Sequence, residues 1–308
     1  MTHASLSGIP IVLGGNVFGW TADEDTSFAV LDKFYEHGGR MIDTAQGYSS
    51  WVDGHSGGES ETVLGKWLAA RGDAVRGDMR IGTKVNMSGE DGGLAPDAIA
   101  GALEQSLNRL QTDYVDLYYA HRDDLATPQK EMAQGFDALM QAGKVREIGA
   151  SNFDAPRLAS AIQAAREADC TPFSVLQNEY NLVKRGQFGA DLQNLCLDQD
   201  ILVFTYFSLA SGFLTGKYRE KSDLEGQDRA MMVENYLDQG QRVLAKLDKI
   251  SEETNASLAA ISLAWLIAQP AVTAPIASAR KPEQLDALLE AARLELSPEQ
   301  IESLNLAI

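Results

Sequence analysis

The sequence predicts an α/β protein, a (β/α)₈ TIM barrel with long loops after its strands, and three observations carry that prediction. Short apolar runs alternate with stretches of helical period from end to end. There are eight such runs. No Pro/Ser-rich linker or change of composition divides the chain, so residues 1–308 read as one barrel domain.

The predicted strands are 9–13, 40–43, 80–84, 114–119, 145–150, 173–178, 201–205 and 272–276. Most carry apolar residues on both faces, as strands do in a parallel sheet covered by helices. Ile99, Ala102, Leu103, Leu107 and Leu110 form the stripe of an amphipathic helix that Pro96 starts; Met132, Phe136, Leu139 and Met140 form the next. Eight such units close into a barrel more naturally than into an open sheet. Two connections are long, Gln46 to Glu59 and Tyr206 to about Leu237, and both are expected to wall a site at the carboxyl end of the strands.

Composition narrows the partners. A formal charge of −18 repels nucleic acid and anionic lipid, so neither is expected as a partner. The two cysteines, Cys170 and Cys196, have no CxxC spacing and no nearby pair of histidines, which argues against a metal site or a disulfide framework. The opening MTHASLSGIP has neither a basic nor an apolar leader region, and no apolar run reaches the roughly 20 residues that a membrane helix needs. A reduced, cytoplasmic setting is the expectation. The turn GGNVFG lacks the Gly-x-Gly-x-x-Gly spacing after the first strand, which disfavours a Rossmann domain.

Polar residues that end apolar strands converge on the mouth of a barrel. Asp43 ends the second strand, Tyr48 follows in DTAQGY, Lys84 ends the third, and His121 follows the fourth. Alone, each has a structural reading: a turn cap for Asp43, a snorkelling lysine, a satisfied strand-end histidine, a loop aromatic. Together they supply the parts of carbonyl reduction. A tyrosine acid, whose phenol ordinarily titrates near 10, has its pKa pulled down by an adjacent ammonium. A carboxylate holds that ammonium, and a histidine orients the carbonyl oxygen.

These residues resemble the aldo-keto reductases, from about Gly14 to Leu289. The resemblance implies NADP(H) as cofactor, Asp43, Tyr48, Lys84 and His121 as the catalytic tetrad, and a small-molecule carbonyl or alcohol as substrate. IGASN and LQNEYN imply that Ser151, Asn152 and Gln177 bind the nicotinamide carboxamide, helix capping being the plainer reading of the first two. TYFSLASGFLTGKY resembles the segment that stacks on nicotinamide and wraps the pyrophosphate, which assigns Tyr206, Ser208, Leu209, Gly212, Leu214 and Lys217; Leu209 directly follows Ser208 where the family has a proline. APIASARKPEQLD resembles the 2′-phosphate segment, which assigns Ser278, Arg280 and Gln284 with help from Lys281, and Arg280 favours NADPH over NADH. Leu288 stands where the family has an asparagine near the adenine.

Trp20 and Trp51 join Tyr48 and His121 as expected substrate-binding residues, and they suit apolar or ring-shaped substrates. His55 lies in the same glycine-rich loop, which suits a wall that orders on binding. Two other readings compete: a cofactor-bound regulatory subunit with little turnover, and a barrel of different chemistry such as a phosphate-handling isomerase or lyase. No heptad or exposed apolar helix predicts an oligomeric state.

Overall fold

The structure, a computed structural model, describes residues 8–85, 93–226 and 230–307. Residues 1–7, most of the segment read above for an export signal, and 227–229, within the second long connection, lie outside the described residues. Eight parallel strands close into a barrel in chain order. They are β1 (Val12–Gly14), β2 (Met41–Asp43), β3 (Arg80–Val85), β4 (Val115–Ala120), β5 (Val145–Ser151), β6 (Val175–Glu179), β7 (Leu202–Tyr206) and β8 (Ala274–Ala277).

All eight predicted strands are present, and seven of them end one residue further along than the apolar pattern proposed, because the ladder runs one pair beyond the apolar run, onto polar residues at Ser151, Glu179 and Tyr206. Only the second keeps its predicted end, at Asp43. The first residues of several runs, such as Ile9 and Phe173, precede the ladder and pack against the outer core instead.

Helices surround the barrel: α1 (Glu24–Glu36), α2 (Glu59–Arg71), α3 (Asp73–Asp78), α4 (Pro96–Leu110), α5 (Gln129–Gln141), α6 (Ala155–Glu167), α7 (Ala190–Asp198), α8 (Ala230–Thr254), α9 (Leu258–Ile267), α10 (Leu285–Ala291) and α11 (Pro298–Asn305). Pro96 occupies the first turn of α4, and Ile99, Leu103, Leu107 and Leu110 are its buried stripe. The stretch read as a connection to Leu237 is shorter, because α8 already begins at Ala230. Val233, Leu237 and Gly240 continue the buried stripe of Val243, Leu244 and Leu247. A Cβ at Gly240 would fall 2.2 Å from the Phe213 ring, so glycine there lets α8 lie directly on the loop after β7.

Two cores result. Val12, Met41, Leu117, Tyr119, Val175, Phe204, Ala274 and Ile276 fill the interior of the barrel. A larger cluster lies between strands and helices, and on β4 the two alternate: Leu117 and Tyr119 face inward, Tyr118 and Ala120 outward. Among the described residues no helix is long and apolar enough to cross a membrane.

Candidate active site

The interior of the barrel below the mouth is apolar, so the polar side chains above it satisfy one another. Asp43 sits at the last position of β2. The chain beyond it is tied to β3 by Thr44 N to Gly82 O at 2.8 Å and Gln46 N to Lys84 O at 3.3 Å. The Thr44 and Ser60 hydroxyls are 2.7 Å apart, and Ser60 donates to Gly15 O at 2.7 Å. These contacts turn Tyr48 back over the strand ends.

Lys84 Nζ donates to Asp43 Oδ2 at 2.6 Å, to Tyr48 Oη at 2.7 Å and to Thr44 O at 2.8 Å. All three of its N–H bonds are therefore used. Tyr48 Oη donates to Asp43 Oδ2 at 3.0 Å. The His121 ring is 6.0 Å from the Tyr48 ring, edge to face, and its Nδ1 is buried with no hydrogen-bond partner. The four residues are thus brought together. Two of the simpler structural readings fail here: Lys84 is buried and does not snorkel, and Asp43 binds side chains rather than capping a turn.

Electrostatics correct one expectation. Burial pushes the Tyr48 phenol well above its ordinary value, and the Asp43 carboxylate in contact with it adds to the rise. The neighbouring ammonium does not pull it down overall, so Tyr48 is a firmly protonated acid. Burial also lowers Lys84, against the opposing pull of Asp43 and Glu61. Burial, then the charges of Lys84 and Arg122, hold His121 well below its ordinary value, so the imidazole is neutral at neutral pH.

Ser151, Asn152, Gln177 and Tyr206 gather beside this group. Asn152 takes a left-handed conformation, φ 60°. Its Nδ2 donates to His121 O at 2.9 Å and to Ser151 Oγ at 3.1 Å, and its Oδ1 accepts from Tyr206 Oη at 2.6 Å. Neither Ser151 nor Asn152 caps α6; Asp154 does, accepting from Arg157 N at 2.8 Å. Gln177 Nε2 donates to Asp43 Oδ1 at 2.8 Å, so its amide also belongs to the tetrad.

The loop after β7 is tightly wound. Phe207, Ala210, Ser211, Gly212 and Gly216 all have positive φ. Ser208 Oγ donates to Thr205 O at 2.9 Å, and Leu209 lies half-buried against the outer core. Leu214 is fully buried in that core, so its side chain does not face the mouth. Lys217 Nζ lies 4.5 Å from the Tyr218 ring.

Ser278 Oγ donates to Asn16 Oδ1 at 2.6 Å. Arg280 N donates to Gln284 Oε1 at 2.7 Å, which closes the turn before Pro282–Gln284 and α10. Lys33 of α1 braces this turn through Pro282 O at 3.0 Å and Asp286 Oδ1 at 2.6 Å. Leu288 is buried in the outer core.

Trp20 and Trp51 meet edge to face at 5.6 Å, and Trp51 lies 6.4 Å from the Tyr48 ring. His55, in the same loop, lies 4.0 Å from Glu59. Both cysteines are free, and among the described residues no cluster of His, Cys, Asp and Glu could hold a metal ion.

Sequence reasoning missed several supports. Asn178, one residue beyond Gln177, accepts from Asn152 N at 2.8 Å and donates to Phe153 O and Gln187 O, which fixes the Asn152 turn. Buried Glu61 of α2 accepts from Thr83 Oγ1 at 2.5 Å and from Arg109 Nε at 2.7 Å, behind Lys84. Each partner is distant in sequence from the group it supports, so no local motif marks it. A buried Glu on the apolar face of α2 was the one available signal.

The residues fit a nicotinamide cofactor. The amides of Asn152 and Gln177 and the Ser151 hydroxyl offer both donors and acceptors for a carboxamide, and the unpartnered buried Nδ1 of His121 lies beside them.

The Aldo/keto reductase family model matches residues 10–308. An uncharacterized oxidoreductase, YrpG, of Bacillus subtilis is 32% identical over 306 residues, covering 96% of this chain and 90% of the relative. An aryl-alcohol dehydrogenase [NADP(+)] of Phanerodontia chrysosporium is 30% identical, covering 96% and 81%. A norsolorinic acid reductase of Emericella nidulans is 32% identical, covering 96% and 78%.

Proposed function

The chain belongs to the aldo/keto reductase family, a family of oxidoreductases, and from that membership we propose that it is a single-domain NADP(H)-dependent reductase of aldehydes or ketones, with Tyr48 as the acid. The observation that carries the reading is the Lys84 ammonium shared between Asp43 and Tyr48 beneath a neutral His121. When bound, the reduced nicotinamide supplies the hydride to the carbonyl carbon.

Each residue then has a definite task. His121 donates a hydrogen bond that orients the carbonyl oxygen. Tyr48 turns its proton from Asp43 to that oxygen as negative charge develops there, and the phenolate left behind lies against Lys84. Asp43 fixes the ammonium through Oδ2. Asn152, Ser151 and Gln177 would hold the carboxamide, Tyr206 would lie against the nicotinamide, and Ser208, Leu209, Gly212, Leu214 and Lys217 would bind the pyrophosphate. Leu214 contributes through its backbone, since its side chain is in the core. Ser278, Arg280 and Gln284 take the 2′-phosphate, with Arg280 as the charged partner.

Trp20 and Trp51 wall the mouth beside Tyr48, which favours an aromatic substrate. The relatives named for an aryl alcohol and for norsolorinic acid support that class.

The test is titration with NADPH and NADH by tryptophan fluorescence, followed by turnover on aromatic aldehydes, sugar-derived carbonyls and cyclic ketones. Tyr48→Phe should cut reduction about 10²- to 10⁴-fold and leave NADPH binding intact. Full activity in that variant would remove Tyr48 from its role. Binding without turnover in the wild type would favour the regulatory subunit, and absence of binding would end the cofactor reading.

A further inference from the structure

Tyr119 is a buried phenol inside the barrel that none of these roles uses. It stands two residues before His121 on β4, in register with Lys84 on β3 and Gly149 on β5. A Cβ at Gly149 would come within 2.6 Å of its ring, and one at Gly82 within 3.5 Å. The two glycines on the flanking strands therefore open the slot in which the ring lies. The Lys84 ammonium is 5.9 Å from the ring centroid.

Its hydroxyl is enclosed and closes no hydrogen bond of good geometry, the Gln177 amide being the polar group that leans on it. A buried unpaired hydroxyl is costly, and its presence in an otherwise apolar interior calls for a use. The polar groups that act on it are the Asp43 and Glu147 carboxylates and the Gln177 amide; burial and the two charges outweigh the opposing pull of the amide and keep it protonated, a donor and not an anion.

The donors on Asp43 explain what that use is. Oδ2 accepts from Lys84 and Tyr48, whereas Oδ1 accepts from Gln177. The reading above sends the Gln177 amide to the nicotinamide carboxamide, and when it turns, Oδ1 of a buried carboxylate needs another donor. We propose that Tyr119 is a positioning residue of the reaction: its hydroxyl takes Asp43 Oδ1 as the Gln177 amide turns to the cofactor, so that the carboxylate stays fixed under Lys84 and Tyr48. This rests on the proposed cofactor reading.

Tyr119→Phe removes the hydroxyl and keeps the ring in its slot. The expected result is a kcat lowered about tenfold, the scale of one hydrogen bond to a charged group. KM for the carbonyl and the NADPH Kd should stay within about twofold, and thermal stability of the cofactor-free protein should be no lower than wild type. A structural role would instead lower stability and move KM and Kd together.

A crystal structure of the wild-type NADPH complex gives a readout independent of turnover. It should place Tyr119 Oη in hydrogen-bond distance of Asp43 Oδ1. An unchanged kcat in Tyr119→Phe, or a complex in which Gln177 still donates to Asp43 and the Tyr119 hydroxyl is still unpaired, overturns the proposal. Wild-type turnover separates the two failures: without it the reductase reading falls and takes this with it, and with it only the role of Tyr119 is at stake.

Discussion

Asp43 and Lys84 form an ion pair of 2.6 Å in which the ammonium side chain is 0% and the carboxylate side chain 2% exposed. Taking two charges so completely out of water is expensive, and their attraction offsets the cost only while both are present. Lys84→Met should therefore destabilise the fold by about 3–5 kcal/mol, because it strands a buried carboxylate. Adding Asp43→Asn to that variant should restore much of the loss without restoring carbonyl reduction. Denaturant midpoints of the two single variants and the double variant measure this. A double variant as unstable as the sum of the singles would mean that the pair is not coupled.

Direction of reaction follows from the Tyr48 phenol. In the proposed mechanism reduction needs it protonated and alcohol oxidation needs it ionised, and burial with Asp43 holds its pKa well above the ordinary value. The acid form is thus fully populated at neutral pH, whereas the base form grows only as pH rises. Reduction kcat should stay level between about pH 6 and about pH 9, and oxidation of the corresponding alcohol should climb steadily over the same span. Steady-state profiles in both directions check it. An oxidation rate that levels off near neutrality would mean that Lys84 wins over burial in the loaded enzyme.

Much of this was readable in the sequence, because the barrel writes a period into it. Apolar runs that end in Asp43, Lys84 and His121 indicate both strands and mouth, and those residues do meet. What was not legible depends on distance through space. Counting by two back from His121 puts Tyr119 inside, but the room for its ring comes from Gly82 and Gly149 on the flanking strands. Gln177 was assigned to the carboxamide by resemblance, and its bond to Asp43 spans 134 positions of the chain. The second long connection was read as too long, since its last residues, from Ala230 on, already belong to α8.

Cofactor choice should reside in the turn that precedes α10. Arg280 lies at its start, held in shape by Gln284 and braced by Lys33. A guanidinium suits a phosphate dianion and has nothing comparable to bind on a ribose hydroxyl. Arg280→Ala should weaken NADPH binding about 10- to 100-fold, as loss of one charge-assisted contact does, and leave NADH binding nearly unchanged. Fluorescence titration of both cofactors decides it. Equal losses for the two would assign Arg280 to the shape of the turn rather than to the 2′-phosphate.

Alkaline stability offers a test that needs no ligand. Burial raises Cys196 from an ordinary 9.0 to about 12. It raises Tyr206 and Tyr236 from 10.0 to about 12, with Glu179 adding to both. Each is an acid whose folded pKa exceeds its unfolded one, so above the unfolded value the unfolded chain gives up protons that the folded chain retains. Their contribution is complete below pH 9.0 and is lost as pH rises toward about 12. Urea midpoints should be level up to that first value and fall beyond it. Tyr236→Phe removes one of these groups without touching the tetrad, and should make the fall shallower. A midpoint that stays level to the most alkaline measurement, or the same slope in that variant, would show that these groups are not the ones sensing pH.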